Sequence, residues 1–107
     1  MDDSHKEARN RLEDEKDPRL MEKLKSVIDP ELGASVVDMG LIKTAKLDQD
    51  GNAVVEFVPS SPVCPIAFYL ASEIKKKTLE AEGVHKAKVY CREHAMEEAI
   101  NKQVNTE

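Results

Sequence analysis

The sequence predicts an α+β fold: a small two-layer domain in which a mixed sheet of three or four strands is covered by helices. Three features of the chain point to it. Asp50-Gly51-Asn52 is a tight-turn signal between two runs rich in Val and Ala, so those runs pair as a hairpin. Apolar residues recur at helical spacing in separate segments around Leu20, Leu70 and Ile100. A last alternating run, VHKAKVY, follows the middle helix, and a strand–helix–strand order places it in the same sheet by a crossover. The order is helix, hairpin, helix, strand, helix, and two layers bury these faces most economically.

Residues 1–16 are nearly all charged or polar, with Leu12 the only large apolar side chain after Met1. Such a segment cannot offset its ordering entropy by burial and is expected to be a mobile tail or a solvated helical extension, leaving 17–107 as a single domain. In DPRLMEKLKSVID, Asp17 is a good N-cap and Pro18 suits the first helical position. Leu20, Met21, Leu24, Val27 and Ile28 form the apolar stripe, and Pro30 ends the helix by forcing Asp29 out of helical geometry. The hairpin strands lie at Leu41–Leu47 and Ala53–Val58, and the stretch between Gly33 and Gly40 is either a short strand or an ordered loop. The middle helix is expected from about Cys64 to Glu82, with Ala67, Leu70, Ala71, Ile74, Thr78 and Ala81 inward, Lys75 to Lys77 at the edge and Gly83 as C-cap. The third strand carries Val84, Ala87 and Val89, and the last helix presents Ala95, Met96, Ala99 and Ile100.

At 107 residues the chain suits one domain. Hydrophobic residues make up 40%, but aromatic ones only 4% and there is no Trp, so aliphatic side chains must fill the core. A net charge of −5 argues against non-specific nucleic-acid binding, which needs clustered Lys and Arg. No apolar run approaches the about 18 residues needed to cross a bilayer, and the first residues lack a secretory or transit pattern. The expectation is a soluble cytoplasmic protein whose two cysteines are free thiols.

Cys64 sits between Pro62 and Pro65. With Pro65 at the first helical position, Cys64 becomes the N-cap, its sulfur beside unpaired N–H groups and the positive helix end, which favour thiolate. Ser60 and Ser61 add hydroxyls able to donate to that sulfur. A functional thiol outweighs the alternative of a small buried hydrophobe. A local C-x-x-C pair is excluded because position 67 is Ala67. Cys91 and His94, in CREH, have a spacing common at metal sites, and with Cys64 they make three candidate ligands, one short of a closed tetrahedral site. Alternatively Cys91 completes the strand and points inward. His85 reads as a surface histidine, and spacing alone places neither it nor His94 beside Cys64.

VIDPELGASVVDMGLI, followed at hairpin distance by SSPVCP, resembles the SufT/PaaD-like family of iron–sulfur assembly factors. That pattern is D-P-E-[LI]-G, then V-D-[LM]-G-L, then T-x-P-x-C-P, and all three blocks occur here in order. The resemblance implies a small α/β domain and a role in assembling, carrying or delivering iron–sulfur clusters. It places the reactive cysteine on Cys64 and the acidic residue of the middle block on Asp38, with Asp29, Pro30 and Glu31 in the first block. Cys64, Asp38, Ser60 and Ser61 are then the cofactor-binding candidates, for a transiently bound cluster. Assembly proteins and client apoproteins are the implied partners, with no nucleic acid and no membrane. Ser60 stands for the usual Thr, and Val63 for the frequent Gly before the cysteine. One thiol per chain cannot saturate a cluster that takes four cysteines, so a homodimer sharing Cys64 from two subunits is expected. Two alternatives remain: a protein-binding adaptor in metalloprotein maturation, for which Cys64→Ser leaves client binding intact, and a thiol enzyme pairing Cys64 with a histidine. Asp38 either orients the loop, contacts metal or caps a turn after Val37.

Overall fold

The first described turn shows how local chemistry places an element. In the computed structural model, which describes residues 16–106, the Arg19 N–H donates to the Asp17 carboxylate at 2.9 Å, and Pro18 follows as the first residue of α1 (Pro18–Leu24). The Arg19 guanidinium bonds the same carboxylate and holds its pKa below the ordinary aspartate value. Leu20 and Leu24 are buried. The helix ends earlier than Pro30 requires. The Ser26 hydroxyl donates to the Lys23 carbonyl at 2.8 Å, and the chain then leaves helical geometry. Ile28 is consequently exposed in a strand, and the buried stripe stops at Val27. The tail expected over residues 1–16 lies outside the described residues except for Lys16, which bridges to Ala45.

Between Gly33 and Gly40 both expectations are met in part. β1 (Ile28–Asp29) and β2 (Ala34–Ser35) pair antiparallel as a two-residue ribbon. Asp29, only 1% exposed, joins them: its carboxylate accepts the Glu31 N–H at 2.8 Å and its carbonyl accepts the Gly33 N–H at 2.7 Å. Gly33, at φ +69°, supplies the left-handed corner. D-P-E-L-G is thus a turn with an internal acceptor, a stiff second position and a glycine where a side chain would be strained. The following turn is held by the Ser35 hydroxyl, which accepts the Val37 N–H at 3.1 Å. Asp38, expected as one option to cap this turn, is exposed on it while Ser35 makes that bond.

The hairpin forms as expected. β3 (Ile42–Leu47) and β4 (Asn52–Phe57) run antiparallel, with Ala45 opposite Val55 and a bulge between Ile42 and Thr44. Asp48 organises the turn by accepting the Asp50 and Asn52 N–H groups, both at 2.9 Å. Gly51 is required there: a Cβ on it would collide with the His85 ring. Its carbonyl also accepts the His85 N–H at 2.7 Å, and His85 is exposed at this corner, as a surface histidine.

α2 (Ala67–Glu80) buries Ala67, Leu70, Ala71, Ile74 and Thr78, the stripe read from the sequence. β5 (Lys86–Cys91) then pairs parallel with β4, giving the mixed sheet the order β3-β4-β5. Ala87, Val89 and Cys91 point into the core. α3 (Glu97–Val104) follows, but its buried residues are Ile100 and Val104, whereas Ala95, Met96 and Ala99 are exposed. Its phase is set by its first residue, Glu97, and by two asparagines one helical turn apart. Asn101 and Asn105 face β5 and bond the backbones of Cys91 and Val89. The side-chain amides take the place of a fourth strand along the sheet edge. Around Phe57, the one buried aromatic among the described residues, the core is aliphatic, as the composition requires.

Candidate functional site

Cys64 lies in the loop between β4 and α2, and that loop is pinned by its own atoms. Ser61 accepts the Val63 N–H on its hydroxyl at 3.1 Å and the Cys64 N–H on its carbonyl at 3.1 Å. This local turn engages the Ser61 hydroxyl with backbone rather than with the neighbouring sulfur. Ser60 is exposed. The expected N-cap position is not observed. α2 begins at Ala67 with Ile66 as its cap residue, and it is the Cys64 carbonyl, not the sulfur, that accepts the Ala67 N–H at 3.3 Å. Pro62 and Pro65 stiffen a turn that precedes the helix instead of starting it.

The segment after β5 meets this loop. Glu93 adopts φ +59°, uncommon for a residue with a side chain, and its N–H donates to the Glu97 carboxylate at 2.8 Å. The resulting corner turns the chain back, so that the Ala95 N–H donates to the Pro62 carbonyl at 2.8 Å. His94 is held at both ring nitrogens. Nδ1 accepts the Met96 N–H at 2.9 Å, so the ring hydrogen is on Nε2, which donates to the Cys64 carbonyl at 2.9 Å. The fold therefore joins Cys64 and His94, which spacing could not do, but through the backbone of the cysteine. Neither ring nitrogen is left as a ligand or base while these bonds hold.

Cys64 is 4% exposed and lines an apolar pocket of about 430 Å³. Val63, Pro65, Phe68, His94, Met96 and Ala99 surround it. The pocket sits where α2 and α3 begin side by side, and neither helix has a side-chain cap on its first turn. Cys91 is different. It is fully buried on the core side of β5, and burial, followed by the nearby Glu97 and Cys64 charges, pushes its thiol up from 9.0 to about 11. Among the described residues no three His, Cys, Asp or Glu side chains converge to hold a metal ion, so Cys64, Cys91 and His94 do not form the three-ligand set that their spacing allowed. Asp38 is exposed on its turn and is not among the residues around the pocket.

The Cys91 environment has a consequence for stability. A thiol whose folded pKa is raised stabilises the fold below its unfolded value and loses that contribution as pH rises through the folded value. Between pH 9 and pH 11 the chain is expected to lose up to about 2–3 kcal/mol of stability, and Cys91→Ala is expected to flatten that part of the profile. Urea unfolding across this range checks it. An unchanged slope in the variant would show that other groups govern the alkaline limb.

Residues 18–89 match the profile of the iron–sulfur cluster assembly protein family. The chain belongs to that family. The match includes Cys64 and the D-P-E-L-G turn, and stops before Cys91, His94 and α3. Among related sequences, an uncharacterised protein of Methanocaldococcus jannaschii is 36% identical over 85 residues, covering 79% of this chain and 90% of that protein. The Fe-S protein maturation auxiliary factor YitW of Bacillus subtilis is 32% identical over 71 residues, 66% of this chain and 70% of the relative. Among solved structures, a domain of unknown function, DUF59, from Bacillus anthracis superposes with a TM-score of 0.65 at 29% identity, over 80% of this chain and 84% of that one. The SufT-like resemblance and the α+β architecture are thereby established. No helix among the described residues is long and apolar enough to cross a membrane.

Sequence reasoning missed the pocket itself and the two asparagines that seal β5. The asparagines carry a readable signal, two amides four residues apart on a helix beside a strand. The pocket has none, because it arises where two loops distant in sequence meet.

Proposed function

We propose that this iron–sulfur assembly family member accepts iron–sulfur cargo at Cys64 and passes it to apoproteins, without catalysing a reaction of its own. The observation that carries this reading is the contrast between the two cysteines. Cys64 is among the residues lining a pocket open to solvent, whereas Cys91 faces the core and keeps its proton well above neutrality. The pocket is apolar, which keeps water from competing at the sulfur, and the first turn of α2, which has no side-chain cap, presents its positive end to an anionic cargo. One thiol per chain leaves a cluster under-coordinated, and weak retention suits delivery. Within this reading Ser60 and Ser61 shape the loop, and Asp38 offers an exposed carboxylate to a partner or incoming iron. The relatives named as Fe-S protein maturation auxiliary factors support the same general role, and a cytoplasmic site of action is part of this proposal.

A second reading has one observation in its favour. The Cys64 sulfur is nearly buried, as in a core residue, and an apolar pocket suits an adaptor that only binds proteins. Transfer separates the two. The chain loaded anaerobically with iron and sulfide is mixed with an apo-ferredoxin, and cluster formation in the ferredoxin is followed by circular dichroism. Faster maturation than with equal free iron and sulfide is the expected result. A rate no faster than the free components, with binding to the ferredoxin retained, would replace the carrier by the adaptor.

A further inference from the structure

The corner that follows β5 closes against the Cys64 loop by bonding the carbonyl groups of that loop. The Ala95 N–H donates to the Pro62 carbonyl at 2.8 Å, and His94 Nε2 donates to the Cys64 carbonyl at 2.9 Å. His94, Ala95 and Met96 thereby make one part of the pocket wall, and Val63, Pro65 and Phe68 another. Cys64 itself is only 4% exposed. A cluster surrounds each iron with further atoms, so bonding it needs more of the sulfur than this closed arrangement offers.

The two parts of the wall are not equally fixed. Val63 stands in a turn stiffened by Pro62 and Pro65, and Ala67 just beyond it is buried on α2. None of residues 92–96 is buried, and none belongs to a helix or strand. Glu93 holds a left-handed φ of +59°, which a residue with a side chain keeps only while its surroundings enforce it. The enforcing bonds are few: Glu93 N–H to Glu97, Met96 N–H to His94 Nδ1, and the two that reach the cysteine loop. Segments with few buried contacts open locally while the rest of the fold stays intact. At either end this segment is held by firmer structure, the Arg92 N–H on the Phe57 carbonyl at 2.9 Å and the start of α3. We infer that His94 is a positioning residue for Cys64, the closing bond of a latch, residues 93–96, that keeps the sulfur covered until it swings aside. The inference deepens the carrier reading, on which it rests for the nature of the cargo that an open latch admits.

Alkylation of the full chain without iron reads the latch directly, and it does so even if Cys64 carries no cargo. Labelling by N-ethylmaleimide at neutral pH is followed at both cysteines by peptide mass spectrometry. Cys91, sealed in the core, reports global unfolding and is the internal control. In the wild type Cys64 is expected to label slowly. In His94→Ala it is expected to label roughly tenfold faster, the scale of losing hydrogen bonds that hold a closed state, with Cys91 unchanged. His94→Gln places an amide N–H where Nε2 stands and is expected to restore most of the wild-type rate. His94→Asn keeps an acceptor for the Met96 N–H but falls short of the Cys64 carbonyl, so it is expected to label as fast as His94→Ala. An unchanged Cys64 rate in His94→Ala overturns the inference. So does a Cys91 rate that rises in step with that of Cys64, the sign of general loosening, and so does His94→Asn labelling as slowly as the wild type.

Discussion

Asn101→Ala is expected to destabilise the folded chain by about 2–4 kcal/mol, a large part of the margin of a domain this size. The reason lies in the free edge of β5. Cys91 is fully buried, its N–H donates to the Asn101 Oδ1 at 2.6 Å, and its carbonyl accepts from the Asn101 Nδ2 at 3.2 Å. Truncating the side chain leaves a donor and an acceptor unsatisfied at a place water does not reach, and each costs about 1–3 kcal/mol. Asn101→Asp keeps an acceptor for the N–H and loses the donor to the carbonyl, so it is expected to fall between wild type and Ala. Asn105 repeats the arrangement at Val89, with both bonds at 2.9 Å, but lies at the frayed end of α3 and is expected to matter less. Urea denaturation midpoints of the three variants check the order. A loss below about 0.5 kcal/mol for Asn101→Ala would mean that the edge finds other partners. The same substitution opens a strand edge to other chains, so aggregation on partial unfolding is expected to rise with it.

What the sequence discloses follows from the length of each pattern. The stripe of α2 and the β3–β4 hairpin repeat over several turns or pairs, and both were legible residue by residue. The ribbon of β1 and β2 has two residues in each strand, too few for any period to show. At the start of α1, Asp17 and Pro18 define the boundary by hydrogen bonding, and reading them was enough. At the start of α2 the same proline logic failed. Pro65 is equally at home in a turn just ahead of a helix, and the carbonyl of Cys64 already serves the first helical N–H. Cys91 followed the alternation of Ala87 and Val89 inward, the plainer of its two readings. The meeting of Cys64 with His94 depends on the left-handed corner at Glu93, where no glycine announces a positive φ. The site therefore became visible only with the tertiary fold.

Cys64→Ser is expected to abolish the uptake of iron and sulfide while leaving the fold intact. The substitution changes one atom, in a loop held by hydrogen bonds to the backbones of Ser61, Pro62 and Cys64 and to the side chains of Ser61 and His94. Serine offers a hard, protonated oxygen in place of a soft sulfur, and that oxygen does not hold a cluster iron at neutral pH. Cys91→Ser changes the same atom at a site sealed in the core, and it is expected to cost stability instead of uptake. The decisive measurement is therefore iron and acid-labile sulfide per chain after anaerobic reconstitution of the wild type and both variants, with circular dichroism to confirm folding. Cargo on the wild type and on Cys91→Ser, with none on Cys64→Ser, is the expected result. Cys64→Ser retaining as much iron and sulfide as the wild type would contradict the assignment of the pocket cysteine as the ligand.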